Sequence, residues 1–368
     1  MSLVILHTEA SSGWGGQELR VLDEAAGLRA RGHDVRIAAP AAAPVVDAAG
    51  RRGIPVHVIP IDRRNWAGLS SLYRVIDAAR PDVIVTHSST DSWLTALATR
   101  LRRKSPPVVR MRHLSTPVAG GPLNRWLYGS AAAFVVTTGE AIRRMLIKRL
   151  ALDPERVISI PTGVDLSRFR PAERGTARRA LGLDGGESII GIVATLRSWK
   201  GHRFLIDAIG DPRLAQARLI IVGDGPQDAA LRAKVAELGL GERVLFAGRR
   251  DDVAPWLNAL DVFALPSTGN EGVPQALMQA MACAVPVVTT PVGGIGELVR
   301  DGETGLLVPP QDAGALAQAI AQLFANPELA GQLAASGRKL VEAKYTNTAM
   351  LDAMEKVLLR AAAQKKRG

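Results

Sequence analysis

Ile158-Ser-Ile-Pro-Thr-Gly-Val-Asp165 is a short β-rich run that breaks into a turn, and the organisation of the chain is read from it. The polar stretch 168–186 follows and has no sustained apolar period, which marks it as the linker between two halves of a 368-residue chain. Upstream, short apolar runs at 3–7, 35–39, 56–59, 83–86, 108–111 and 134–137 alternate with helical periods such as 17–31, 69–79 and 139–149. Downstream the alternation restarts at 189–194, 219–222, 244–246, 262–265, 285–289 and 306–308. Three helical stretches, 313–324, 327–344 and 346–363, lead to the basic tail Lys365-Lys366-Arg367. Alternation of this kind builds βαβ units around parallel sheets. The expected fold class is therefore α/β, with two Rossmann-like doubly wound domains facing across a cleft and ligand sites at the carboxyl ends of the strands. The expected boundaries are 1–165 and 166–345, with 346–368 a helix and basic tail that packs back on the first domain.

Composition narrows the function. With 47% hydrophobic and 22% charged residues, the chain can bury a core and is not a disordered tail. One cysteine, Cys283, excludes an internal disulfide, and the six histidines show no metal-ligand spacing. Met1-Ser-Leu-Val-Ile-Leu-His7 has no basic leader and reads as a first strand, and no apolar run reaches 18 residues, so the expected location is cytoplasmic. The net charge of +11 is uneven: residues 1–165 carry 22 Lys and Arg against 14 Asp and Glu, and the remainder 24 against 21. A basic first half points to a phosphorylated or otherwise anionic ligand, or to an anionic membrane surface. Arg100, Arg102, Arg103 and Lys104 form one cluster, and Arg143, Arg144, Lys148 and Arg149 a second, interleaved with Met145, Leu146 and Ile147. Nucleic acid is the poorest partner, because aromatic residues are only 4% and no binding motif is present.

The motifs gather at strand ends. Trp14-Gly-Gly-Gln-Glu18 follows the first strand, and Gly15 and Gly16 could let backbone amides meet an anion at a helix start; the same pair is also an ordinary turn. Arg197-Ser-Trp-Lys-Gly201 places two cations three residues apart, able to bracket a diphosphate or to form a solvated basic turn. Val222-Gly-Asp-Gly-Pro226 and Phe246-Ala-Gly248 end successive strands, where Gly223, Gly225 and Phe246 could border a base or ribose, or serve tight turns. In Glu271-Gly-Val-Pro-Gln275, Pro274 suits the first turn of a helix. Glu271 would then stand just before free helix amides, placed to accept sugar hydroxyls or only to favour the helix dipole. Gln279 lies two turns further along.

In this order and spacing the motifs resemble the retaining nucleotide-sugar glycosyltransferases of family four, which have the two-domain GT-B fold. The resemblance covers nearly the whole chain and is strongest from Ile158 to Asn326; it includes Pro161-Thr-Gly-Val-Asp165, Ile221-Val-Gly-Asp-Gly-Pro226, Phe246-Ala-Gly248, the Glu271 block and Gly293-Gly-Ile-Gly-Glu-Leu-Val299. The Ser115 region and Arg197-Ser-Trp-Lys-Gly-His202 are most similar to the subset acting on lipopolysaccharide and other envelope glycans. The resemblance implies transfer of a sugar from a nucleoside-diphosphate sugar to a hydroxyl of an anionic glycan or glycolipid, without a metal or other cofactor. Glu271 would hold donor hydroxyls, Lys200 with Arg197 the diphosphate, and His113 would meet the transferred sugar. Gly15, Gly16, Gly223, Gly225, Phe246, Gly272, Val273, Pro274, Gln275 and Gln279 would line the donor. Two positions depart from the family pattern: Ala194-Thr-Leu196 stands for Gly-Arg-Leu, and Gln279 for the second glutamate of Glu-x7-Glu. Two alternatives share the fold, a nucleotide-sugar epimerase and a catalytically silent sugar-nucleotide scaffold.

Overall fold

The computed structural model describes residues 2–183, 186–269 and 271–365. It divides into two compact units, one made of 1–163 with 347–368 and the other of 164–346.

The first unit is a seven-stranded sheet, all parallel, in the order β3-β2-β1-β4-β5-β6-β7. Its strands are β1 Val4–Thr8, β2 Asp34–Ala39, β3 Val56–Val58, β4 Val83–Thr86, β5 Val108–Arg112, β6 Phe134–Thr137 and β7 Val157–Ser159. Period-2 alternation sends consecutive side chains to opposite faces, and both faces are apolar because helices cover both. Ile5, Val83 and Val85 join one core with the helices Gly16–Ala30 and Pro44–Arg51. Leu6 and Ile84 join another with Trp66–Ala79 and Ser89–Arg100. The helix Asn347–Lys365 belongs to this unit, placing Met350, Met354, Val357, Leu358 and Ala361 in the first of those cores. The tail from Lys366 onward lies outside the described residues.

The second unit is a six-stranded parallel sheet in the order β10-β9-β8-β11-β12-β13. The strands are β8 Ser188–Val193, β9 Ala217–Val222, β10 Val244–Gly248, β11 Val262–Leu265, β12 Val287–Thr289 and β13 Leu306–Leu307. This is the doubly wound order, in which the winding reverses between β8 and β11.

The stretch read as a linker is largely folded into this unit. Glu173 caps the helix Arg174–Ala180 by accepting from the amides of Gly175 and Thr176. Arg174 and Arg178 both pair with Asp261, and Arg168 pairs with Asp252. Phe169, Ala177 and Leu183 also enter the core of this unit, but so few apolar anchors among polar contacts make no sustained period; residues 184 and 185 lie outside the described set.

The second basic cluster sits on the helix Glu140–Leu150, where Leu146 is fully buried and Met145 and Ile147 pack against the same core. These apolar residues serve the interior. Arg143 is committed to Glu140 and to the Val157 carbonyl, and Arg102 to Asp77, leaving Arg100, Arg103, Lys104, Arg144, Lys148 and Arg149 exposed.

Candidate active site

In the second unit the loops after β8 and β11 flank the point where the winding reverses, the usual ligand position in such sheets. They bring together two residues 71 positions apart. Lys200 Nζ donates to both carboxylate oxygens of Glu271, at 2.7 and 3.0 Å, and Ser267 Oγ donates to Glu271 Oε1 at 2.6 Å. The Glu271 side chain is 5% exposed and that of Lys200 21%, so the carboxylate is walled in while the ammonium reaches solvent.

The backbone around the pair explains its glycines. Gly201, in the left-handed region at φ 78°, ends the turn carrying Lys200, and a Cβ there would overlap the Pro266 carbonyl. The Thr268 amide donates to the Trp199 carbonyl at 2.8 Å, tying the two loops together. Gly293 and Gly294 lie against the carbonyls of Glu271 and Gly272, and the Gly294 amide donates to the Glu271 carbonyl at 3.2 Å. Gly223 and Gly225 are filled in the same way, by the backbone of Ala194 and Leu196. Their missing side chains let one loop lie on another.

The remaining residues singled out in this half are distributed as follows. Arg197 takes no part in the ion pair; its guanidinium lies 5.7 Å from the Trp199 ring and lines a pocket of about 220 Å³ with His202, Thr268 and Gln311. Burial, aided by the Lys200 charge, holds His202 down to about 3, so that ring is neutral. Phe246 is half-buried, with Arg232 4.3 Å over its face. Gly272 and Val273 connect Glu271 to Pro274, which caps the helix Gln275–Ala282 one position ahead of its first turn. Gln279 is buried to 8% exposure in that helix.

In the first unit Gly15 precedes the helix Gly16–Ala30 in an extended conformation, φ 177°, so its backbone angle does not itself require glycine. His113 follows β5 and does not stand alone. Its Nε2 lies 3.1 Å from Nδ1 of His87, whose Nε2 lies 2.9 Å from Nδ1 of His7.

Two carboxylates near this row escaped the sequence reading. Glu9 accepts from the Ser11 amide at 2.8 Å and from Gln17 Nε2 at 2.6 Å, and burial, reinforced by the Asp91 charge, pushes it up to about 8. Asp91 accepts from Thr8 Oγ1 at 2.7 Å and from the amides of His87 and Ser88 at 2.9 and 2.8 Å, while burial raises it above the usual range. Among the described residues no group of three or more His, Cys, Asp or Glu is placed to hold a metal ion, and no helix is long and apolar enough to cross a membrane.

The model for Glycosyltransferase Family 4 matches residues 14–168, and the model for Glycosyl transferases group 1 matches 187–326. EpsD of Bacillus subtilis (strain 168), assigned by name as a glycosyltransferase, is 28% identical over 302 residues, covering 78% of this chain and 78% of that protein. The D-inositol 3-phosphate glycosyltransferase of Mycobacterium sp. (strain KMS) is 34% identical over 200 residues, covering 52% of this chain but only 45% of its own length. The crystal structure of Alr3699/HepE from Anabaena in complex with UDP and glucose superposes with a TM-score of 0.86 at 25% identity, covering 97% of this chain and 99% of that one.

Proposed function

Because the chain belongs to the group 1 glycosyltransferases of family 4, with their two-domain GT-B fold and nucleotide-sugar donors, we propose that it moves a sugar to a hydroxyl of an anionic envelope glycan or glycolipid, with retention of configuration and without a metal. The observation that carries the reading is the Lys200–Glu271 pair at the winding reversal of the second sheet. An ammonium and a carboxylate held side by side match the two halves of a nucleoside-diphosphate sugar: the cation for the phosphates and the anion for the sugar hydroxyls. Lys200 neutralises the charge that grows on the leaving diphosphate, the task a metal performs elsewhere. Arg197 lies three residues from Lys200 on an exposed stem and is free to swing toward the phosphates.

In this reading the second domain binds the donor and the first, more basic domain the acceptor. Attack comes from the face the diphosphate leaves, and the departing phosphate takes the acceptor's proton. Gly15 and Gly16, at the start of a 15-residue helix, supply amides to the anion. His113 meets a hydroxyl of the sugar. The exposed cations Arg100, Arg103, Lys104, Arg144, Lys148 and Arg149 suit an anionic lipid surface, each worth about 1 kcal/mol near it.

The test is a thermal-shift screen of UDP, GDP, ADP and their sugars, followed by a transfer assay with the best donor. A ligand at 100 times its Kd should add about 2.7 kcal/mol to stability. Release of a free epimerised sugar without acceptor would favour an epimerase, and binding with neither hydrolysis nor transfer a silent scaffold.

A further inference from the structure

His7, His87 and His113 stand at or just beyond the carboxyl ends of β1, β4 and β5, which are neighbours in that order. Their rings stack with centroids 5.1 and 5.4 Å apart and planes within 14° and 22°. The two nitrogen–nitrogen contacts are 2.9 and 3.1 Å, hydrogen-bond distances. Each needs one proton, because two N–H groups would repel and two lone pairs would make no bond.

The rings are neutral at neutral pH. Burial depresses His87 well below its ordinary value, helped by His7, His113 and Arg20. His113 falls to about 3 through burial, then Arg20 and Arg112. His7 falls through burial and the Arg20 charge, with Glu24 opposing. Three neutral rings carry three protons, and two contacts each take one, so the row has only two fully bonded states. In one, every ring is protonated on Nε2: His113 donates to His87, His87 donates to His7, and His113 Nδ1 is a bare acceptor. In the other every proton sits on Nδ1, His113 Nδ1 becomes a donor, and His7 Nε2 is bare. The outward nitrogen of His113 and the buried nitrogen of His7 are thus locked in opposite phase across three rings.

What lies at the buried end chooses between the states. Arg20 and Glu24, both with fully buried side chains, pair through Nε and Oε2 at 2.9 Å. Glu24 Oε1, Arg20 Nη2 and His7 Nε2 are all buried without a hydrogen-bond partner, and of the two opposed charges Glu24 acts on His7 the more strongly. Glu24 is the anion acting on His7, and a carboxylate with an open oxygen favours an N–H over a lone pair on the one nitrogen of His7 not committed to His87. At the other end, His113 Nδ1 has no partner among the described residues. We infer that the Arg20–Glu24 pair, acting through His7 and His87 as positioning residues, fixes His113 as the Nε2–H tautomer and presents its Nδ1 as an acceptor for a ligand hydroxyl. The use of that acceptor rests on the reading of His113 given above; the tautomer does not, and it is measured without ligand.

The measurement is ¹H–¹⁵N correlation through the imidazole rings of the full chain labelled with ¹⁵N-histidine, at neutral pH. His7→Phe, His87→Phe and His113→Phe assign the rings. All three should show a protonated Nε2 and a bare Nδ1, without averaging; a protonated Nδ1 on any of them, or a mixture, overturns the inference. In His87→Phe, His113 should lose its lock and report two tautomers, and a His113 that stays purely Nε2–H would equally overturn it. If that variant does not fold, His7→Phe serves in its place: it cuts the link to Glu24 while keeping the His87–His113 contact, so both remaining rings should report mixed tautomers. Adding UDP-glucose afterwards tests the site reading by itself, since a hydroxyl reaching His113 shifts its Nδ1 signal whatever sets the tautomer.

Discussion

Replacing Glu271 by glutamine should separate two properties that the Lys200–Glu271 pair now couples. In the free protein the ammonium is occupied by its own carboxylate, through contacts of 2.7 and 3.0 Å, so a diphosphate must compete for it. A hydrogen bond to a charged group contributes about 1.5–3 kcal/mol, but Lys200 is one-fifth exposed and an amide oxygen would keep part of the bond. Glu271→Gln should therefore release about 1 kcal/mol, and UDP should bind about fivefold tighter. Lys200→Met removes the cation and should weaken UDP about 30-fold, a loss of about 2 kcal/mol. Both variants should lose sugar transfer by on the order of 100-fold, because each removes a preorganised group the reaction needs. Calorimetric titration with UDP reads the opposite signs, and the transfer assay the common one. Thermal unfolding provides the control: a fully buried pair costs about 3–5 kcal/mol to break, and this partly hydrated one should cost less. Equal weakening of UDP by both substitutions, or wild-type turnover in either, would refute the division of labour.

Chelation with EDTA should leave transfer unchanged, and strict dependence on an added divalent ion would overturn the metal-free mechanism. Gln279→Glu should tighten the best nucleotide by about 1 kcal/mol if the helix carries that position to the ribose, since charge-assisted hydrogen bonds are roughly twice as strong as neutral ones; identical Kd values for wild type, Gln279→Glu and Gln279→Ala would place it outside the site. Glu9 is raised in the fold to about 8 from a usual value of 4.5. The folded state thus holds a proton that the unfolded chain releases, and the contribution of Glu9 to stability is complete below pH 4.5 and lost as pH rises through 8. Glu9→Gln should therefore gain on wild type in melting temperature between pH 5 and 9, and a constant difference across that range would show that Glu9 does not titrate there.

The strands were legible because parallel strands covered on both faces read as unbroken apolar runs, and 83–86, 134–137 and 262–265 coincide with β4, β6 and β11. Segment 168–186 was misread for the complementary reason: the ion pairs of Arg168, Arg174 and Arg178 with Asp252 and Asp261 leave no periodic trace, and its buried apolar residues Phe169, Ala177 and Leu183 are too few to make one. At the candidate site Lys200 and Glu271 were each visible as motif residues, but their pairing was not, because only the adjacency of β8 and β11 joins them. Gly223 and Gly225 were visible as glycines, and their packing against Ala194 and Leu196 was not. His7 and His87 passed unnoticed as single histidines in apolar or polar runs. Comparing the residues at and just beyond the carboxyl ends of β1, β4 and β5, once a doubly wound order was assumed, would have exposed the row.

The return of the helix Asn347–Lys365 to the first unit sets an order of events during synthesis. The second unit is one uninterrupted segment and can fold as soon as it leaves the ribosome. The first is left with an open apolar face where Met350, Met354, Val357, Leu358 and Ala361 will later sit, and Gly27 faces the space Leu351 will occupy. Almost two hundred residues must be translated before that face closes, and at about 5–20 residues per second the wait lasts on the order of ten seconds or more. Over that interval the nascent sheet exposes the apolar face that the helix will cover, and exposed apolar surface of that kind is what makes partly folded chains prone to aggregate.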